Sequence, residues 1–243
     1  VDKETIYTYI SDGGIQEEIS LGAARIAGKL ELDNLIMFYD ANEIQLSTET
    51  GDVMNEDTGA KYRAMGWEVF EIDGNDVAQI RTAIEAAQKV VGKPTLIIGR
   101  CIMGKGALKA DGSSYERSCK THGAPLGGDA YVNTVKNLGG DPENPFVIFD
   151  DVKEIYTKRA AELEAIAAER HAEEEEWAKA NPEMAAKQAQ WFSGNAPVVD
   201  WSGLTQKDDA PTRNASAACL GILAEQVPNM ICSSADLCNS DKT

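Results

Sequence analysis

The stretch Thr5-Ile6-Tyr7-Thr8-Tyr9-Ile10 runs into Ser11-Asp12-Gly13-Gly14, and Leu35-Ile36-Met37-Phe38-Tyr39 runs into Asp40-Ala41-Asn42-Glu43-Ile44. Each apolar run has the length of a strand and closes on turn residues, which predicts two buried strands with Asp12 and Asn42 at their tips. Between them, Ile15 to Leu30 places Ile19, Ala23, Ile26 and Leu30 on one helical face, with Glu17 and Glu18 in the first turn where negative charge suits the helix dipole. One βαβ unit predicts parallel neighbours, which deliver a carboxylate and an amide to adjacent strand ends. The paired glycines let the backbone turn tightly and approach a ligand. Such oxygen ligands, few in number and open to water and phosphate, suit Mg²⁺ better than zinc. Two ordinary capping turns would place the same residue types there, so spacing alone leaves both readings open.

Outward from this pair the alternation continues to about Cys101. A helix is predicted from Glu56 to Met65 and a strand over Glu68 to Ile72, which ends in the turn Asp73-Gly74-Asn75-Asp76. A helix over Val77 to Val91 follows, stopped by Gly92, and Pro94 opens the strand Thr95 to Ile98. The fold class is therefore α/β, a doubly wound, mostly parallel sheet flanked by helices. From Met103-Gly104-Lys105-Gly106 to His122-Gly123-Ala124-Pro125-Leu126-Gly127-Gly128 runs a long polar loop, of a kind more often functional than idle. An acidic helical stretch, Val152 to Trp191, carries Glu173-Glu174-Glu175-Glu176 and is interrupted at Asn181-Pro182. Ser193 to Pro211 has the composition of a boundary. A new unit then opens with a helix, Thr212 to Gln226, and a strand, Met230 to Cys232. The expected domains are an α/β domain over residues 1–150, a helical linker over 151–200, and the start of a second α/β domain over 201–243.

The formal charge of −17 on 243 residues argues against nucleic acid or an anionic membrane surface as partner, so a phosphate ligand must be held by local cations or a metal. No apolar run is long enough to span a bilayer, and no leader pattern is read. The five cysteines, Cys101, Cys119, Cys219, Cys232 and Cys238, lack C-x-x-C spacing and read as reduced thiols of a cytoplasmic protein. Asn214-Ala215-Ser216 is read as a chance sequon. Lys105 lacks Walker A spacing, and the first turn lacks the dinucleotide fingerprint, which ranks a nicotinamide oxidoreductase last. Of the two histidines, His122 draws notice between polar glycine-rich segments, whereas His171 lies on the acidic helix. Val1 and Thr243 lie so close to predicted strands that a piece of a longer polypeptide is expected.

Taken together these motifs resemble the transketolase family of thiamin diphosphate enzymes. Asp12-Gly13 followed after thirty residues by Asn42 looks like the thiamin diphosphate motif. The neighbouring Gln16-Glu17-Glu18-Ile19-Ser20, Leu35 to Asp40, Ala64-Met65-Gly66-Trp67-Glu68-Val69, Lys93-Pro94-Thr95-Leu96-Ile97, His122 to Gly127, Thr212-Arg213, Ser234-Ala235-Asp236-Leu237 and Ser240 narrow it to transketolase. The resemblance implies a thiamin diphosphate-binding fold and transfer of a two-carbon ketol unit between sugar phosphates, in the pentose phosphate pathway, by a homodimer. It implies that Asp12, Asn42 and the Ile44 carbonyl hold Mg²⁺, that Gly13 sits against the diphosphate, and that Met103 makes an apolar contact to the cofactor. His122 would lie near the diphosphate and the reacting carbons, as catalytic and substrate-binding residue. Arg213 and Ser240 would hold the substrate phosphate and Asp236 would lie near the aminopyrimidine and the substrate, all three acting across a subunit boundary, and Glu17 would sit at the dimer interface.

Four departures accompany the resemblance. Ser11 stands where the motif usually has Gly, Glu43 stands where a basic residue is common, and the loop from Gly106 to His122 is longer than expected. The family's activating glutamate would lie beyond Thr243, so the stretch alone is expected to be inactive. A related thiamin enzyme (phosphoketolase or deoxyxylulose phosphate synthase) and an inert binding or dimerisation module are the competing expectations.

Overall fold

The computed structural model describes residues 4–243, and the chain divides into two compact units, Val1–Val147 and Ile148–Thr243. The first unit is built on a parallel four-stranded sheet in the order β1-β2-β4-β3, with β1 Ile6–Ser11, β2 Leu35–Ala41, β3 Glu68–Asp73 and β4 Thr95–Arg100. Pairing of Ser11 with Asp40, of Ala41 with Arg100 and of Arg100 with Asp73 levels the carboxyl ends, so the loops that follow all four strands emerge along one edge.

The order of the strands decides which face each helix covers. The steps from β1 to β2 and from β2 to β3 run in one direction, so right-handed crossovers place α2 (Glu18–Lys29) and α3 (Thr58–Ala64) on one face. The step from β3 back to β4 puts α4 (Val77–Ala87) on the other. The core confirms this division. Met37, Tyr39, Leu96 and Ile98 pack with Ala24, Ala27, Tyr62 and Trp67, while Ile36 and Ile97 pack with Ala83 and Ala87. The helices start where the side chains can cap them: Asp57 accepts from the Ala60 amide, and Asp76 accepts from those of Ala78 and Gln79.

Two local expectations are corrected in this unit. The predicted helix from Ile15 to Leu30 is two helices, α1 (Asp12–Gln16) and α2, separated by Glu17 in an extended conformation. The face that carries Ile19, Ala23, Ile26 and Leu30 points outward, with Ile19 83% and Ile26 60% exposed, and Ala24 and Ala27 are the buried pair. The reason is close approach: the Trp67 indole N–H donates to the Ala24 carbonyl at 2.8 Å, and a Cβ on Gly28 would lie 1.8 Å from the Met65 carbonyl oxygen. Only the small-residue face of α2 fits against such a backbone. The sequence also carries a helix with no predicted counterpart, α5 (Gly128–Asn137).

The second unit contains α6 (Asp150–Ala180), α7 (Pro182–Trp191), α8 (Thr212–Gln226) and the short α9 (Cys238–Asp241). The break between α6 and α7 falls at Asn181-Pro182, because a proline is tolerated in the first turn of a helix and not in its interior. The predicted strand from Met230 to Cys232 does not form. Among the described residues this unit has no other strand to pair with, and Ile231 stays 95% exposed. No described helix is long and apolar enough to cross a membrane.

Gly28→Ala should lower stability by about 2–3 kcal/mol through overpacking against rigid backbone, whereas Gly22→Ala, whose Cβ meets nothing within 4 Å, should be neutral or stabilising. Urea unfolding midpoints of the two variants check this.

Candidate active site

Asp12 opens α1 at the tip of β1 and is 2% exposed, yet among the described residues no cationic side chain pairs with it. Its carboxylate is held instead by three donors. The Tyr39 hydroxyl donates to Oδ1 at 2.7 Å, and the backbone amides of Asn42 and Glu43 donate to Oδ2 at 3.0 and 3.1 Å. Asn42, 6% exposed, is thereby drawn against Asp12, and its own Oδ1 accepts the Ile44 amide at 3.0 Å. Burial, then the Asp12 carboxylate, pushes the Tyr39 phenol well above its ordinary value, so it remains a donor. Tyr39 was missed in the sequence. Its signal is a tyrosine on the buried face of a strand, whose hydroxyl needs a partner.

Around this pair lie other candidate residues of the first unit. Gly13 faces open space, since a Cβ there would meet nothing within 4 Å. Ile44 is buried and Met103 half-buried. The long loop does not carry His122 away: it folds back on itself, and the Arg117 amide donates to the Met103 carbonyl at 2.9 Å. A Cβ on Gly104 would lie 2.8 Å from the Thr121 hydroxyl, and one on Gly123 would lie 3.4 Å from Leu46, so the two neighbours of His122 touch the Met103 turn and the segment after Asn42. His122 itself is exposed at the end of the short turn Cys119–Thr121. Glu17 is exposed at the break between α1 and α2, its amide donating to the Gly14 carbonyl.

Arg213, Asp236 and Ser240 belong to the second unit. Arg213 lies exposed in the first turn of α8, Asp236 is exposed in a left-handed conformation, φ 64°, and Ser240 lies in α9.

The donor set fits a hard cation. Asp12 and Asn42 present side-chain oxygens with free lone pairs beside the Ile44 backbone, and a buried carboxylate that pairs with no cationic side chain is a place for positive charge. No group of three or more His, Cys, Asp or Glu among the described residues is arranged to hold a metal, so a cation here shares its coordination with water or with an anionic ligand. Thiol chemistry has no support at this edge. The Tyr9 hydroxyl donates to Asp40 at 2.6 Å, and burial followed by Asp40 pushes the neighbouring Cys101 up to about 12, which keeps it a thiol. All five cysteines are free.

Residues 1–197 match the family model described as "Transketolase, thiamine diphosphate binding domain". The chain belongs to the transketolase family. It is 35% identical over 245 residues to a probable transketolase of Streptococcus pneumoniae, a match that covers 98% of this chain and 36% of that protein. It is 36% identical to transketolase 1 of Saccharomyces cerevisiae, over 98% of this chain and 35% of that one. Among solved structures it resembles the Pichia stipitis transketolase in complex with sedoheptulose 7-phosphate, with TM-score 0.83 and 30% identity over 98% of this chain and 35% of that one. The Leishmania mexicana transketolase is similar at TM-score 0.82 and 31% identity, over 97% of this chain and 35% of that one. The chain thus spans about a third of the length of the relatives it matches. The family resemblance and the α/β fold class read from the motifs are both borne out.

Tyr39→Phe should cost this transketolase-family chain about 1–3 kcal/mol, because a buried carboxylate loses one donor. The check is chemical denaturation of the variant against the parent chain.

Proposed function

We propose that this chain provides the diphosphate- and Mg²⁺-binding part of a transketolase that moves a two-carbon ketol unit from a ketose phosphate to an aldose phosphate, in the pentose phosphate pathway of the cytoplasm. The observation that carries the reading is the convergence of Asp12 and Asn42, at the tips of adjacent parallel strands, on one buried, oxygen-lined turn.

Asp12, Asn42 and the Ile44 carbonyl would hold Mg²⁺, Gly13 would lie against the diphosphate, and Met103 would contact the cofactor. When bound, thiamin diphosphate supplies the carbanion chemistry that cleaves and forms carbon–carbon bonds next to a carbonyl. The chain's own residues bind and orient. His122 offers a ring nitrogen to the diphosphate and to substrate hydroxyls, Arg213 and Ser240 hold the distal phosphate by charge-assisted hydrogen bonds, and Asp236 positions the aminopyrimidine and a substrate hydroxyl. Glu17 would sit at the interface of a homodimer. A chain of net charge −17 can bind such anions because a metal and a few placed cations act locally while the surface stays negative.

The competing reading is an inert binding or dimerisation module. Supplying xylulose 5-phosphate and ribose 5-phosphate with thiamin diphosphate and Mg²⁺ separates the two, since the inert module forms no sedoheptulose 7-phosphate.

Equilibrium dialysis should show thiamin diphosphate retained with Mg²⁺ and lost with EDTA, and Asp12→Ala should weaken retention by at least about tenfold; equal retention in the variant removes Asp12 from the metal. Wherever ketol transfer is measurable, Arg213→Ala should raise KM for phosphorylated sugars far more than for unphosphorylated ones. Equal effects would remove Arg213 from the phosphate site.

A further inference from the structure

Glu43 directly follows Asn42, and its backbone is in the left-handed region at φ 66°, a conformation non-glycine residues seldom adopt. Its two carboxylate oxygens face two different arginines. Oε1 lies 3.8 Å from Arg100 at the end of β4, and Oε2 lies 3.9 Å from Arg117 at the base of the long loop. Arg100 also lies 3.8 Å from Glu71, which accepts from Arg63 of α3 at 3.1 Å. Alternating charges therefore run from α3 across the carboxyl ends of β3 and β4 to the Asn42 turn and on to the loop.

Among the described residues, the hydrogen bonds of the loop tie it to itself and to α5. The Tyr115 amide donates to the Ala107 carbonyl and that of Lys109 to the Ser113 carbonyl, both at 2.8 Å, and the Gly106 amide donates to Glu116 at 2.7 Å. Thr134 and Asn137 of α5 bond Leu108 and Gly106. These bonds shape the loop without fixing it on the Asn42 turn. Five residues beyond Arg117 the same loop presents His122.

We propose that Glu43 is a positioning residue, which through Arg117 latches the His122 loop onto the Asn42 turn so that the two hold one geometry. The functional meaning rests on the proposed roles of Asn42 and His122 in the cofactor site. The latch also offsets the Glu43 charge beside a turn that would receive a diphosphate, which an unpaired carboxylate would repel. At 3.8–3.9 Å the contacts are Coulombic and do not use the guanidinium fork, so charge at position 117 matters and its shape does not.

The test has two arms, each run on the chain as it stands. The first needs no ligand: hydrogen–deuterium exchange of the Ser118–Gly123 segment in the parent chain, Glu43→Gln, Arg117→Gln, the double variant and Arg117→Lys. The two Gln variants should exchange about two- to fivefold faster, as expected for an exposed ion pair. The double variant should exchange no faster than either, Arg117→Lys should match the parent, and about 1 M salt should bring the parent to the level of the Gln variants. Unchanged exchange in either single variant, additive effects in the double, or Arg117→Lys behaving as Arg117→Gln would each overturn the latch.

The second arm is Mg²⁺-supported thiamin diphosphate retention, which should weaken about two- to fivefold in Arg117→Gln and recover in Arg117→Lys. Equal retention in Arg117→Gln and the parent would overturn the positioning role. A parent chain that retains no thiamin diphosphate at all refutes the proposed cofactor site, while the exchange arm still decides the latch.

Discussion

A carboxylate buried at a strand tip without an ion-pair partner is costly unless its oxygens are supplied with donors, and Asp12 is supplied by the Tyr39 hydroxyl and the amides of Asn42 and Glu43. Much of the site's shape follows from this. Tyr39 must face the α2 and α3 side of the sheet, which sets the alternation of β2 and sends Met37 and Ala41 to the same core. The backbone after β2 must turn its amides back toward β1, which leaves the Asn42 side chain to cap Ile44 and forces Glu43 into the left-handed region. One hydrogen-bonded carboxylate thus orders the strand, the turn and the residue whose charge must then be offset.

The parallel sheet adds the second constraint. Because the carboxyl ends are level, every loop that carries a first-unit candidate residue leaves from one edge, and a few residues there can act on a common ligand. Packing α2 closely against Met65 and Trp67 requires alanine and glycine on the buried face. Its large aliphatic residues are left outside, and Ile19, Ile26 and Leu30 form a stripe on the far side. That stripe is the consequence of the tight contact of α2 with Met65 and Trp67 and not a fault of packing.

The long loop closes into a hairpin-like excursion with paired backbone from Met103 to Arg117, so the chain returns to the Gly104 turn before it reaches His122. The same excursion brings Arg117 within reach of Glu43, and the two meet in space as opposite charges.

Much of the chain was legible in the sequence because its signals are local: strand-length apolar runs, the turn from Asp73 to Asp76 and the Asn181-Pro182 break report on neighbouring residues in the chain. Asp12 and Asn42 were readable as strand tips for the same reason. Tertiary structure decided what local signals leave degenerate. Period 3.6 in α2 supports an aliphatic stripe and a small-residue stripe equally, and only the approach of Met65 and Trp67 selects which is buried. Met230 to Cys232 has the composition of a strand, but a strand exists only where another closes its hydrogen bonds. The donors to Asp12 come from residues about thirty positions away in the chain. Sequence alone therefore placed the aspartate and the asparagine; the fold supplied the tyrosine, the amides and the arginines that give them a shape, because those contacts are made through space.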